Sequence, residues 1–262
     1  MSIVCGIDFS KGSAEAAQAA AALAAHFRQP LHLVHALGDW PADFEGDDKA
    51  HVMSAARRAL EQQARALVEF GANVICRVEL DLAEPTLLRV AKEEGAQLLV
   101  FGATGRGHGG GRPCGRTADR LAQRSEVPTL VVRQSEPFLK WLHSGARLKV
   151  VVGLDFNRVS DDAWAWASDL SKLGAVDQVG VHVYWAPAEF HRLGLDGMRS
   201  YVDPDPDVDR VLQRDLENRF PARAGSGARI RLKPALGQRA DNLLAAASED
   251  HADLIVVGSH QR

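Results

Sequence analysis

Apolar residues fall along this chain in short contiguous blocks, separated by longer stretches with a helical period. In the first half the blocks lie near 2–8, 31–36, 73–79, 97–102 and 128–132. Each is rich in Val, Ile and Leu on consecutive positions, the pattern of strands buried on both faces. Between them run Ala14–Phe27, Asp48–Phe70, Ala83–Glu94 and Thr117–Arg124. Val52, Ala55, Ala56, Ala59, Leu60 and Leu67 share one face of the second stretch, and Glu84-Pro85 sets a proline in the first turn of the third. Strict alternation of strand and helix predicts parallel pairing through right-handed crossovers, hence an α/β sandwich. Such sheets bind ligands at the carboxyl ends of their strands, so candidate chemistry is sought there.

The pattern then repeats. Ile3–Ser10 (IVCGIDFS) matches Val150–Asn157 (VVVGLDFN) at an offset of 147 residues, which also sets His35 on His182. Ala96–Gly102 matches Ala252–Gly258 at an offset of 156, so the second copy carries about nine additional residues between its second strand and third helix. Ser135-Glu136-Pro137 breaks the pattern. The expected domains are therefore 1–134 and 148–262, with 135–147 as a linker.

Composition agrees with two domains: 262 residues, 46% of them hydrophobic, can bury two cores. A net charge of -3, from 31 Lys+Arg against 34 Asp+Glu, gives no overall attraction to nucleic acid or anionic lipid. No apolar run is long enough to span a bilayer, and the start of the chain does not read as a secretory leader. Cys5, Cys76 and Cys114 stand at unrelated spacings, so neither a disulfide framework nor a zinc cluster is expected. A cytoplasmic protein is the expectation.

The densest chemistry follows the fourth block: Gly102-Ala-Thr-Gly105-Arg106-Gly107, continuing through Arg112, Cys114, Gly115 and Arg116 to a helix near Thr117. Glycines allow backbone N–H groups to converge on phosphate oxygens, and the helix start adds the positive end of its dipole. Arginines supply charge-assisted contacts. A mobile surface loop is the plainer reading of the same composition. Asp8 closes the first strand, as Asp155 does in the second copy. A carboxylate there can accept a ribose hydroxyl or hold magnesium beside phosphates, or cap the next helix together with Ser10 or Ser13, of which Ser13 reads as the better placed. Other candidates read more simply as structure. His182, Tyr184, Trp185, Glu189 and His191 lack metal-ligand spacing. Asp203-Pro-Asp205-Pro-Asp207 reads as a turn before a helix, and one of Trp164 and Trp166 as core. Cys114, beside arginines, is a candidate for a lowered pKa, whereas Cys5 and Cys76 read as small buried apolar residues.

Asp8-Phe9-Ser10-Lys11-Gly12-Ser13, His35-Ala36 at a strand end, Gly102-x-x-Gly105 followed by nine residues and then Gly115, and the closing Val127-Pro128-Thr129-Leu130-Val131-Val132-Arg133 together resemble a universal stress protein domain. The resemblance extends, more faintly, over the second copy. It implies a tandem protein in which each domain is an open five-stranded parallel sheet of order 3-2-1-4-5 with helices on both faces. It also implies ATP or ADP in the first domain, with Asp8 toward ribose or magnesium and the backbone near Ala36 toward adenine. Gly102, Gly105, Arg106, Gly107, Gly115, Arg116 and Thr117 would line the phosphates. The family has Ser or Thr where this chain has Arg116, with Thr117 one place later. The second copy has Gln261 in the slot of Gly105 and stops before counterparts of the last helix and strand, so it is expected to be degenerate, incomplete and mainly structural or partner-binding. The implied protein is a stress-response regulator, an internal pseudo-dimer that leaves homodimerisation open. Slow ATP hydrolysis is the most catalysis expected, since no nucleophile has a positioned base. A scaffold binding no nucleotide, or holding an apolar ligand between its halves, is the alternative; an adenylating or nucleotidyl-transferring enzyme fits less well, lacking its usual loop.

Overall fold

The computed structural model describes residues 2–38, 46–105, 114–195, 204–221, 228–235 and 237–259. The chain divides into two units, Met1–Ser144 and Gly145–His260.

The first unit runs β1 (Ser2–Gly6), α1 (Lys11–Phe27), β2 (Leu31–Ala36), α2 (Asp47–Leu67), β3 (Val74–Glu79), α3 (Ala83–Glu93), β4 (Ala96–Gly102), α4 (Arg116–Arg124), β5 (Thr129–Val132) and α5 (Glu136–Ser144). The strands form one parallel sheet ordered β3-β2-β1-β4-β5. Ile3, Val4 and Cys5 at its centre are buried, as a strand covered on both faces requires. Val4, Val34, Leu99 and Phe101 meet Leu87 and Val90 of α3 and Leu121 of α4 in one core.

On the opposite face, α1 buries an almost unbroken run of alanines from Ala16 to Ala24. Small side chains let this helix lie close to the sheet. Its first turn shows how close: a Cβ on Gly102 at the end of β4 would lie 2.5 Å from the backbone carbon of Gly12, and one on Gly12 would strike the Thr104 carbonyl. Ser10, rather than Ser13, caps α1. Ser10 Oγ accepts the Ser13 N–H at 3.1 Å, and the Ser13 hydroxyl donates back to the Ser10 carbonyl at 3.1 Å. The stretch expected to link the domains carries α5. Phe138 and Trp141, one helical turn apart, are both buried. Ser135 ties the start of α5 to Glu15 and Gln18 of α1, each at 2.7 Å.

The second unit runs β6 (Leu148–Leu154), α6 (Arg158–Asp169), β7 (Val176–Tyr184), α7 (Ala186–Leu193), α8 (Pro206–Arg219), β8 (Arg229–Pro234), α9 (Arg239–Glu249) and β9 (Leu254–Val256). Its parallel sheet is ordered β8-β7-β6-β9, which repeats the first four strands of the other unit. The additional residues of this copy include α7, whose Phe190 packs with Tyr184, Val208 and Leu212. Asp205 caps α8, accepting the Asp207 N–H at 2.9 Å, with Pro206 in the first turn. Trp164 is the core tryptophan, against Phe220.

Candidate functional site

The carboxyl ends of β1, β2 and β4 and the starts of α3 and α4 enclose a cleft of about 730 Å³ in the first unit. Its position follows from the strand order. Connections from β1 and β4 leave toward opposite faces of the sheet, and a crevice opens where they part. The described residues singled out above all line it: Asp8 after β1, Ala36 closing β2, Gly102 and Gly105 after β4, and Gly115, Arg116 and Thr117 at the start of α4. Arg106, Gly107 and Arg112 lie outside the described residues.

Two contacts fix the geometry of Gly105 and Gly115. Gly105 lies directly against Asp8, and a Cβ there would collide with Asp8 Oδ2. Gly115 donates its N–H to the Ala103 carbonyl at 2.8 Å, and a Cβ on it would fill the space 3.6 Å from that carbonyl oxygen and 4.0 Å from the Gly105 nitrogen. Gly115 is also the N-cap of α4 and supplies no side-chain cap. The first-turn N–H groups of Arg116, Thr117 and Ala118 are the free donors of a helix start among the described residues, and these residues line the cleft. Arg116 and Thr117 are exposed at its edge.

The floor of the cleft is apolar. Ile7, Val34, Leu37, Leu87, Phe101 and Leu121 line it. Sequence reasoning missed these residues because they sit inside strand and helix patterns and read as core. Their signal was positional, since each stands at the carboxyl end of its strand or on a helix face turned toward that end. His35 is buried at the wall, its Nδ1 2.7 Å from the Ile7 carbonyl oxygen. A carbonyl only accepts, so Nδ1 carries the proton. On the α1–α2 side of His35 a second hollow of about 860 Å³ is lined by Phe9, Leu37, Val52, Ala55 and Ala59.

Cys114 also lines the cleft. Partial burial, then Asp119, push its pKa up, against Arg133 and the Gly115 backbone, so among the described residues the thiol is raised rather than lowered. Burial likewise pushes the Cys5 thiol far up.

The second unit arranges the same positions differently. Asp155 Oδ1 accepts the Phe156 N–H at 2.7 Å, and Oδ2 accepts from Asn157 Nδ2 at 3.3 Å. His182 repeats His35, with Nδ1 2.9 Å from the Leu154 carbonyl oxygen. Its Nε2 is buried with no hydrogen-bond partner among the described residues, and burial pushes its pKa below the usual histidine value. Tyr184 donates to Asp209. Among the described residues no three His, Cys, Asp or Glu side chains are grouped to hold a metal ion. No helix among them is long and apolar enough to cross a membrane.

The universal stress protein family model matches residues 1–133 and again 147–262. A universal stress protein of Mycolicibacterium smegmatis is 27% identical, the match covering 99% of this chain and 87% of that one. The crystal structure of a universal stress protein from Archaeoglobus fulgidus, 14% identical, superposes with a TM-score of 0.65 over 97% of this chain and 85% of its own. A universal stress protein solved in complex with cAMP aligns with 52% of this chain and 98% of its own, at 25% identity and a TM-score of 0.42. Two matched segments, a full-length relative and a shared fold lead to one conclusion: the chain belongs to the universal stress protein family, a stress-response protein built from two such repeats in tandem.

Proposed function

We propose that the cleft of the first unit binds an adenine nucleotide, ATP or ADP, and that the chain acts as a cytoplasmic, nucleotide-responsive regulator rather than as an enzyme. The observation that carries this reading is the meeting of three features in one cleft: an apolar floor, a helix start with no side-chain cap, and the glycines at 105 and 115, the first with no room for a Cβ beside Asp8. The floor at Ile7, Val34 and Leu37 suits the flat face of a base, with the backbone at Ala36 beside its edge. Asp8 suits a ribose hydroxyl. Gly102, Gly105 and Gly115 let phosphates approach the backbone, and Arg116 adds a guanidinium in place of a hydroxyl. Thr117 stands one position further along, on the same helix turn.

Magnesium fits only as a companion of the phosphates. Asp8 is a single carboxylate, and this ion ordinarily takes one or two carboxylates with the rest of its shell from phosphate and water. When bound it would neutralise phosphate charge beside Asp8. The second unit serves a structural or partner-binding role in this reading, since Asp155 turns both its oxygens onto Phe156 and Asn157, whereas Asp8 Oδ2 stands against Gly105 in the cleft.

The deciding experiment is to denature natively purified protein and identify the released small molecule by chromatography and mass spectrometry. ADP or ATP near one per chain is the expected result. Protein that releases none, and that takes up neither nucleotide in calorimetry, would leave the scaffold reading in its place.

A further inference from the structure

Asp8-Phe9-Ser10 and Asp155-Phe156-Asn157 occupy the same place in the two repeats on different backbones. Phe9 has φ +61°, in the left-handed region, where a bulky residue is strained. Phe156 keeps an ordinary negative φ. The carboxylates differ with them. Asp155 folds back onto the Phe156 N–H and the Asn157 amide. Asp8 spans its turn instead: Oδ1 accepts the Ser10 N–H at 3.0 Å, across Phe9, and Oδ2 stands against Gly105 in the cleft.

What holds the strained turn is also visible. The Phe9 ring lies 4.5 Å from the His35 ring, centroid to centroid. His35 is buried and bonded to the carbonyl of Ile7, the residue before Asp8. The turn is thus clamped to the end of β1 from which it springs. Filling space does not require this backbone, because Phe156 packs against His182 at 5.4 Å without it. Strain that persists where surroundings hold it in place tends to gather at functional sites.

We propose that Phe9 is a positioning residue: its left-handed turn, clamped on His35, aims the Asp8 carboxylate at Gly105 and so presents it to the ligand. The role rests on the nucleotide reading of the cleft. An Asp8 already aimed spares the ligand the cost of reorganising the loop, which raises apparent affinity by the fraction of molecules held ready.

Glycine and valine at position 9 separate this role from simple packing. Phe9→Gly deletes the ring but enters the left-handed region freely; Phe9→Val keeps apolar bulk but resists that region. With both variants folded by circular dichroism, ADP affinity should stay within about threefold of wild type in Phe9→Gly and fall about tenfold in Phe9→Val. Packing alone predicts the reverse order, and Phe9→Gly losing as much as Phe9→Val overturns the proposal. A second readout needs no ligand. Asp8→Asn should shift the Gly105 amide resonance in the wild-type and Phe9→Gly backgrounds, but not in Phe9→Val. Equal shifts in all three backgrounds also overturn it. If no form binds nucleotide, the reading of the cleft fails and the amide shifts alone decide the role of Phe9.

Discussion

His35 and His182 act in the same way within their own repeats, each joining the second strand to a carbonyl at the end of the first or one residue past it. Other contacts recur as faithfully. Arg77 on β3 reaches Glu93 and Glu94 at the end of α3, and Arg231 on β8 reaches Glu249 and Asp250 at the end of α9. Gly258 presses on the backbone of Val159 as Gly102 presses on Gly12. The differences gather at the carboxyl ends of the strands: the direction of the Asp side chain, valine for glycine at the start of α6, and α7 with its Tyr184–Asp209 contact. The contacts that assemble the sheet are therefore held in common by the two repeats, whereas several of those at the carboxyl ends of the strands differ.

The largest effect should come from placing a carboxylate where the repeats differ most. Gly105→Asp sets a second negative charge against Asp8 in the cleft and should weaken ADP binding by about a hundredfold or more. Calorimetry on a variant whose melting curve stays near wild type checks it, and unchanged affinity removes Gly105 from the site. Gly115→Val should act in the same direction by filling the space between Ala103 and Gly105.

The shared seam comes next. Gly102→Ala and Gly258→Ala each force a methyl into helix backbone and should cost about 1–3 kcal/mol in urea unfolding. A large cost at one and none at the other would break the equivalence. Arg116→Ala should weaken ADP about tenfold and flatten the salt dependence of binding. If affinity is untouched, the uncapped helix start and the glycines account for the anion site without it. Arg77→Ala and Arg231→Ala should each cost about 0.5–1 kcal/mol, matching one another, because both latches are partly exposed.

The smallest effect should come from acid acting on His182. The pKa of His182 is lowered on folding, chiefly by burial and secondarily by Arg239, against the Leu154 carbonyl, Glu189 and Asp155. Above the unfolded value of 6.5 both states are neutral there and the group contributes nothing. Below it the unfolded chain takes up the proton first, so stability falls as pH drops. His182→Gln should lessen the slope of stability against pH between about 6.5 and 5; identical slopes would mean that other groups govern acid unfolding.

The strands and helices of the first repeat were legible because buried parallel strands carry contiguous apolar residues, and the second repeat states the patterns of the first, second and fourth strands again. The glycines and Asp8 stood out because a connector has no need of them, and the structure brings Asp8, Gly102, Gly105 and Gly115 to one cleft. The floor of the cleft was not: Phe101 and Leu87 obey the same burial rule whether they cover a core or a ligand. Helix α5 carried a readable sign in Phe138 and Trp141, one turn apart, which the proline before them obscured. The turn at Phe9 left no sign, since the same Asp-Phe pair takes another conformation at Asp155. Backbone conformation there depends on what surrounds it.

The alanines of α1 have a consequence for inheritance. Ala16, Ala17 and Ala19–Ala22 leave no space for a larger side chain, and their close packing sets the height of the helix whose first turn adjoins Asp8 and Gly105. A substitution such as Ala20→Val would lift that turn as well as strain the core. In a genetic screen for lost ligand response, variants in the middle of α1 should therefore score beside those in the glycine loop, although no alanine there touches the cleft.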